Sequence, residues 1–179
     1  MLWTIVMWII GLAVAGIVVI LIIASTKPDT FRIERHININ APPEKIFALL
    51  DDFHAWTQWS PWERKDPALK RSYSGAATGR GAVYEWEGNK NVGKGRMEIS
   101  DSVPPSRLLV DLHFVSPFEA RNTAEFTLTP VGNATTVNWA MYGPNVFMSK
   151  VMGTVMNMDK MIGKDFEQGL ANMKAVAER

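Results

Sequence analysis

From Met1 to Thr26 the chain has no charged side chain and is dominated by Ile, Val, Leu and Ala, until Lys27-Pro28-Asp29 ends the run. At 1.5 Å rise per residue, about 20 apolar residues span the hydrocarbon core of a bilayer. Residues 1–26 are therefore expected to form one transmembrane helix. A cleaved signal peptide is the competing reading. It requires a basic n-region, a shorter apolar core and a small-x-small cleavage site. No Lys or Arg precedes this core, and Ile22-Ile23-Ala24 is a poor site. Trp3 and Trp8 suit an interfacial end, where indoles settle. Gly11 and Ala15 make a small-xxx-small pair, a spacing that also occurs in helices that do not dimerise.

After the apolar run the pattern turns to strands. Phe31, Ile33, Ile37 and Ile39 share one parity over Phe31 to Asn40, the mark of a half-buried strand, with Arg35 breaking the apolar set and expected near a sheet end. Ala41-Pro42-Pro43-Glu44 opens a helix, Pro43 suiting a first-turn position, and Ile46, Phe47, Leu49 and Leu50 give it an apolar face. Asp52 is placed to cap a second short helix through His54 to Trp59. Strands are then expected at Leu69 to Ser74, Ala82 to Glu87, Val92 to Ser100, about Leu108 to Phe114, Phe118 to Thr129 and Thr135 to Met141, with turns at Gly88–Asn91, Pro104-Pro105, Ser116-Pro117 and Val131–Ala134. On the fifth of these, Phe118, Ala120, Asn122, Ala124, Phe126 and Leu128 form the inward set. Beyond Gly143-Pro144 the period changes again. Met158, Met161, Ile162, Phe166, Leu170 and Met173 recur at three- and four-residue steps, which predicts one long amphipathic helix to the C-terminus. Val146 to Met156 precedes it as a separate segment, broken or bent at Gly153.

This order gives an α+β chain: an N-terminal transmembrane helix over residues 1–26, and a domain over 27–179 in which a curved antiparallel sheet wraps a long C-terminal helix. The segment Ile39-Asn40-Ala41-Pro42-Pro43-Glu44-Lys45-Ile46-Phe47, followed by Trp56, Trp59, Ser60, Pro61 and Trp62, with Gly169-Leu170 before Lys174, resembles the polyketide cyclase/dehydrase group of the START-like (SRPBCC) superfamily. The resemblance covers nearly all of Phe31 to Arg179. It implies a helix-grip fold with a deep cavity between sheet and helix. The apolar N-terminal segment lies outside it.

Charge and composition narrow the partners. All charged side chains fall after residue 26 and sum to a net charge of +1. That balance lacks the basic stripe of a nucleic-acid binder. Lys27, Arg32 and Arg35 follow the apolar segment, so the positive-inside rule places residues 27–179 in the cytoplasm. The absence of cysteine fits a reducing compartment and, equally, a disulfide-free exported domain.

The chemistry-bearing residues do not converge. By parity His36 and His113 point outward and His54 lies near a helix start, so no metal site is expected. Gly75, Gly79 and Gly81 are not followed by Lys-Ser/Thr and open no helix, which excludes a phosphate loop. Glu85, Glu87 and Asp111 fall on the outer face, so no paired acid–base site is indicated, and no catalytic residue or cofactor is assigned. The cavity implied by the resemblance would be lined by Tyr84, Trp86, Phe114, Trp139, Met141, Met158 and Met161, an aromatic and thioether set suited to an apolar, variable ligand. Each of these residues has plain core packing as its alternative. Trp59 and Trp62 act either as a lid or as a plug at the open end of the sheet. Asn122 is polar on an apolar face. It either orients a ligand carbonyl or hydroxyl, or is satisfied by backbone or water. Three functions follow: a membrane-tethered carrier of a hydrophobic small molecule or lipid, a cyclase- or dehydratase-type enzyme, and a membrane-bound interaction domain with a filled core.

Overall fold

Ile33, Ile37 and Ile39 turn one face of strand β1 (Thr30–Ile39) toward the core, but β1 does not pair with the next strand in sequence. It pairs antiparallel with the last, β7 (Ala134–Pro144), from Thr30↔Pro144 to Ile39↔Thr135. Between them run β2 (Lys70–Gly75), β3 (Ala82–Glu87), β4 (Lys94–Val103), β5 (Arg107–Ser116) and β6 (Ala120–Val131). The result is one seven-stranded antiparallel sheet in the order β1-β7-β6-β5-β4-β3-β2. The structure, a computed structural model, describes residues 2–179.

Four α-helices complete it: α1 (Leu2–Ser25), α2 (Pro43–Leu50), α3 (Phe147–Val155) and α4 (Met158–Ala177). Helix α4 crosses the inner face of the sheet. Phe166, Leu170, Met173 and Ala177 recur at three- and four-residue steps and are all almost fully buried. Two 3₁₀ turns, Ala55–Gln58 and Pro61–Arg64, carry Trp56, Trp59 and Trp62 from α2 to the sheet. Indole N–H groups fix this corner. Trp56 donates to the Leu50 carbonyl at 2.9 Å and Trp59 to that of Leu49 at 2.8 Å. This is a helix-grip fold with an added N-terminal apolar helix.

Helix α1 is about 36 Å long at 1.5 Å per residue, and its side chains are largely exposed. By length and composition it suffices to cross a membrane, a test that an N-terminal signal sequence also passes.

Several local expectations are corrected. Strand β6 begins at Ala120, and Phe118 sits outward on the β5–β6 hairpin, 65% exposed. Asp52 caps no helix. Its carboxylate instead accepts the His54 backbone N–H at 2.8 Å in a local turn. The break before α4 falls at Met156-Asn157 rather than at Gly153, because the Asn157 side chain accepts the Lys160 N–H at 2.9 Å and starts a new helix. Arg35 is not at a sheet end. From mid-β1 its guanidinium reaches α4, pairing with Asp159 at 3.0 Å and Glu167 at 2.8 Å. The hydrogen bonding from Arg35 holds the Asp159 carboxyl below its ordinary value of 3.8.

Gly163 makes that crossing possible, since a Cβ there would fall 2.0 Å from Arg35 Nη2. Alanine in a helix interior is otherwise favoured over glycine by about 1 kcal/mol. Gly163→Ala is therefore expected to stabilise an Arg35→Ala variant by about that amount, and to give no gain or a loss in the parent, where the guanidinium must leave its carboxylates. Thermal or urea unfolding of the four variants checks the coupling. An equal gain in both backgrounds would show that Arg35 moves aside without cost.

Candidate functional site

Two neighbouring cavities lie between the sheet and α4. The inner one encloses about 290 Å³ and is walled by Trp62, Tyr84, Trp86, Met97, Leu112, Phe114, Ala124, Trp139, Met141, Ile162 and Phe166. The outer one, of about 840 Å³, lies where β1 begins and α3 meets α4. Its walls include Phe31, Ile33, Ala120, Asn122, Met152, Met156 and Met158. Phe114, Met141 and Ile162 belong to both.

The alternation of the strands places these side chains. Tyr84 and Trp86 are two residues apart on β3 and point inward, as do Trp139 and Met141 on β7. Gly95 gives Trp86 its room on the neighbouring strand, since a Cβ there would lie 2.4 Å from the indole. Trp139 is the central element. Its ring stacks on Phe166 of α4 at 4.1 Å and 6°, and on Phe126 at 4.9 Å. Trp59 and Trp62 meet it edge-on at 5.5 and 5.7 Å. Trp139 is 3% exposed, and its indole N–H is buried without a hydrogen-bond partner. Such a group costs about 1–3 kcal/mol.

A polar chain borders the inner cavity. The Tyr84 hydroxyl donates to Glu63 at 2.6 Å, and the other oxygen of that carboxylate receives Arg71 Nε at 2.6 Å. Burial, then the bond to Glu63, push the Tyr84 phenol well above its ordinary value, so it stays a neutral donor. Lys65 pairs with Asp165 at 2.7 Å and joins the second 3₁₀ turn to α4 above the cavity.

The residues singled out from sequence thus divide. Trp62, Tyr84, Trp86, Phe114, Trp139 and Met141 border the inner cavity, and Asn122 and Met158 the outer. Trp59 is fully buried behind Trp139 and borders neither, and its carbonyl is held by Asn172 at 3.0 Å. Met161 is 50% exposed on the outer side of α4. Glu63, Leu112 and Ile162 are wall residues that the sequence did not single out for the site. Ile162 had a signal, since it shares the apolar stripe of α4 with Phe166. Glu63 had none, because its partners come from β2 and β3. Among the described residues, no group of three or more His, Cys, Asp or Glu side chains is placed to hold a metal.

The polyketide cyclase / dehydrase and lipid transport family matches residues 30–178, from the first residue of β1 to one residue past α4. The chain belongs to that family. Solved structures resemble it at low identity and bear on the fold alone. Protein CV1439 from Chromobacterium violaceum is 18% identical with a TM-score of 0.59, over 86% of this chain and 99% of that one. The di-domain ARO/CYC BexL from the BE-7585A biosynthetic pathway is 14% identical with a TM-score of 0.64, over 88% of this chain and 53% of that one. The Aha1 dimer from Colwellia psychrerythraea is 18% identical with a TM-score of 0.55, over 83% and 96%. No curated protein matches the chain.

Proposed function

We propose that this protein is a membrane-tethered carrier or binding domain for a hydrophobic small molecule or lipid that presents one hydrogen-bond acceptor. The division that goes with it is an anchor over residues 1–26 and a ligand domain over 27–179, with the ligand domain on the cytoplasmic side by the positive-inside rule. The observation that carries the reading is the aromatic- and thioether-walled cavity, whose lining includes Trp139, a residue with a buried and unpartnered N–H. An apolar ligand with a carbonyl, carboxylate or ester oxygen supplies what that group lacks, while its chain fills the space. Family membership supports a hydrophobic ligand.

A second reading has one observation in its favour. Tyr84 and Glu63 both border the inner cavity and are bonded to each other. A neutral phenol beside a carboxylate is a proton-handling pair, as a cyclase- or dehydratase-type reaction requires. Glu63→Gln separates the two: a carrier keeps its ligand occupancy, whereas an enzyme binds substrate and loses turnover.

The test uses the full chain in lipid nanodiscs with a diazirine-bearing fatty acid. Irradiation and peptide mapping are expected to place label on the segments Tyr84–Met97 and Trp139–Met141. Label confined to residues 2–25 would overturn the carrier reading. The tether is checked separately. The chain should stay in the membrane pellet after carbonate washing, with its N-terminus at Met1. A mature N-terminus near Ser25 would replace the anchor with a signal.

A further inference from the structure

We propose that α3 lies in the bilayer interface and holds the mouth of the outer cavity against lipid, so that ligand moves between membrane and cavity without entering water. This rests on the reading of α1 as a membrane span. Its own support is that α3 is built inside out. Phe147, Val151 and Val155 follow one another at four-residue steps on one face, with Met148 beside them. Phe147, Met148 and Val155 are 53%, 63% and 69% exposed. Lys150, the one charged residue of the helix, is 8% exposed, its stem covered and its ammonium bonded at 2.6 Å to Asp29, an exposed carboxylate of the segment that joins α1 to β1. A helix on a water-facing surface has the opposite polarity.

The exposure is also concentrated in one place. Among the described residues outside α1, ten large apolar side chains are exposed. Eight belong to the β5–β6 hairpin, to α3 with its flanking residues, or to the first turn of α4, at the end of the sheet where α1 joins β1; Val103 and Val131 alone lie at the other end. Single exposed apolar residues are ordinary, whereas a contiguous group marks a surface that is covered by something.

What covers it follows from the attachment of α1. Only residues 26–29 separate α1 from β1, and α1 contacts α3. Lys27 donates to the Gly153 carbonyl, and Lys150 to Asp29. These two bonds pin α3 beside the point where the span leaves the bilayer. An amphipathic helix held there, with Phe147, Met148 and Val155 of its apolar face exposed and Val151 half-buried between them, enters the boundary between headgroups and acyl chains. Met152 and Met156, from α3 and its end, also border the outer cavity with Phe31, Met158 and Ile162. The lipid-facing element and the wall of the mouth are one piece.

The chain has no cysteine, so single labels report position. Val14→Cys, Met148→Cys, Val155→Cys and Val131→Cys, each carrying an environment-sensitive fluorophore, are reconstituted as full chain in phosphatidylcholine vesicles containing doxyl-phosphatidylcholine. Labels at 14, 148 and 155 are expected to shift to the blue and lose intensity to the doxyl lipid, while the label at 131 is quenched only by aqueous iodide. Quenching by doxyl lipid at 14 together with iodide quenching at 148 and 155 would overturn the seating of α3 and leave the span intact. Absence of doxyl quenching at 14 would overturn the span and the seating with it. Protection of 148 and 155 from both quenchers would mean that a second copy covers the face, and the lipid proposal would fall.

Discussion

Phe166→Asp is expected to leave no folded domain. Phe166 is 1% exposed and stacks flat on Trp139, so the substitution removes the central contact between α4 and the sheet and puts a carboxylate in its place. Loss of a buried aromatic side chain costs about 3–5 kcal/mol. An uncompensated buried charge adds several more, against a total stability of roughly 5–15 kcal/mol for a domain. Met161→Asp, in the exposed first turn of the same helix, is expected to change stability by less than about 1 kcal/mol. Circular dichroism melts of both variants decide the matter. A Phe166→Asp protein that melts like the parent would show that α4 does not cover the sheet.

Trp139 separates packing from binding. Trp139→Ala is expected to cost about 3–5 kcal/mol, because four aromatic neighbours, Trp59, Trp62, Phe126 and Phe166, lose their common partner. Trp139→Phe is the more informative change. It keeps a ring in the stack and removes the buried, unpartnered N–H, so the lost volume is partly offset by relief of about 1–3 kcal/mol. Binding of a ligand with a carbonyl or carboxylate should then weaken by about fivefold to tenfold, the loss of one hydrogen bond of about 1 kcal/mol or slightly more. A pure hydrocarbon of the same length should bind as before. Competition against the diazirine fatty acid measures both. Equal weakening of the two ligands would show that Trp139 acts by shape alone and that its N–H meets no ligand.

The parts of the fold that local periodicity encodes were legible in the sequence. Phe166, Leu170 and Met173 gave the phase of α4, and the alternation of Tyr84 with Trp86 and of Trp139 with Met141 gave the inner face of the sheet. Contacts between distant segments were not legible. Nothing local says that β1 closes the sheet on β7, or that Arg35 crosses to Asp159 and Glu167. Phe118 was misassigned because it keeps the parity of Ala120 and Asn122, while the hairpin ends the pairing two residues later. Met158 and Met161 are three residues apart, close enough to count as one face. Yet three residues turn the helix through about 300°, so Met161 lies to one side of Met158; Met158 borders the outer cavity and Met161 is half exposed. Trp59 had the composition of a lid and became a strut, because its N–H and carbonyl are both held by other elements.

The path of β1 separates the two ends of the protein. The strand starts beside α1 and runs its ten residues, about 33 Å at 3.3 Å each, to Asn40, whose N–H is held by Glu178 at 2.6 Å just after α4. Arg179 therefore sits at the opposite end of the sheet from α1 and from the exposed apolar residues of the β5–β6 hairpin, α3 and the first turn of α4. A fluorescent protein or protease site fused after Arg179 would project from the face that meets no lipid and no cavity mouth. A tag joined at Arg179 is thus the attachment from which sidedness and abundance in cells can be read with the ligand site undisturbed.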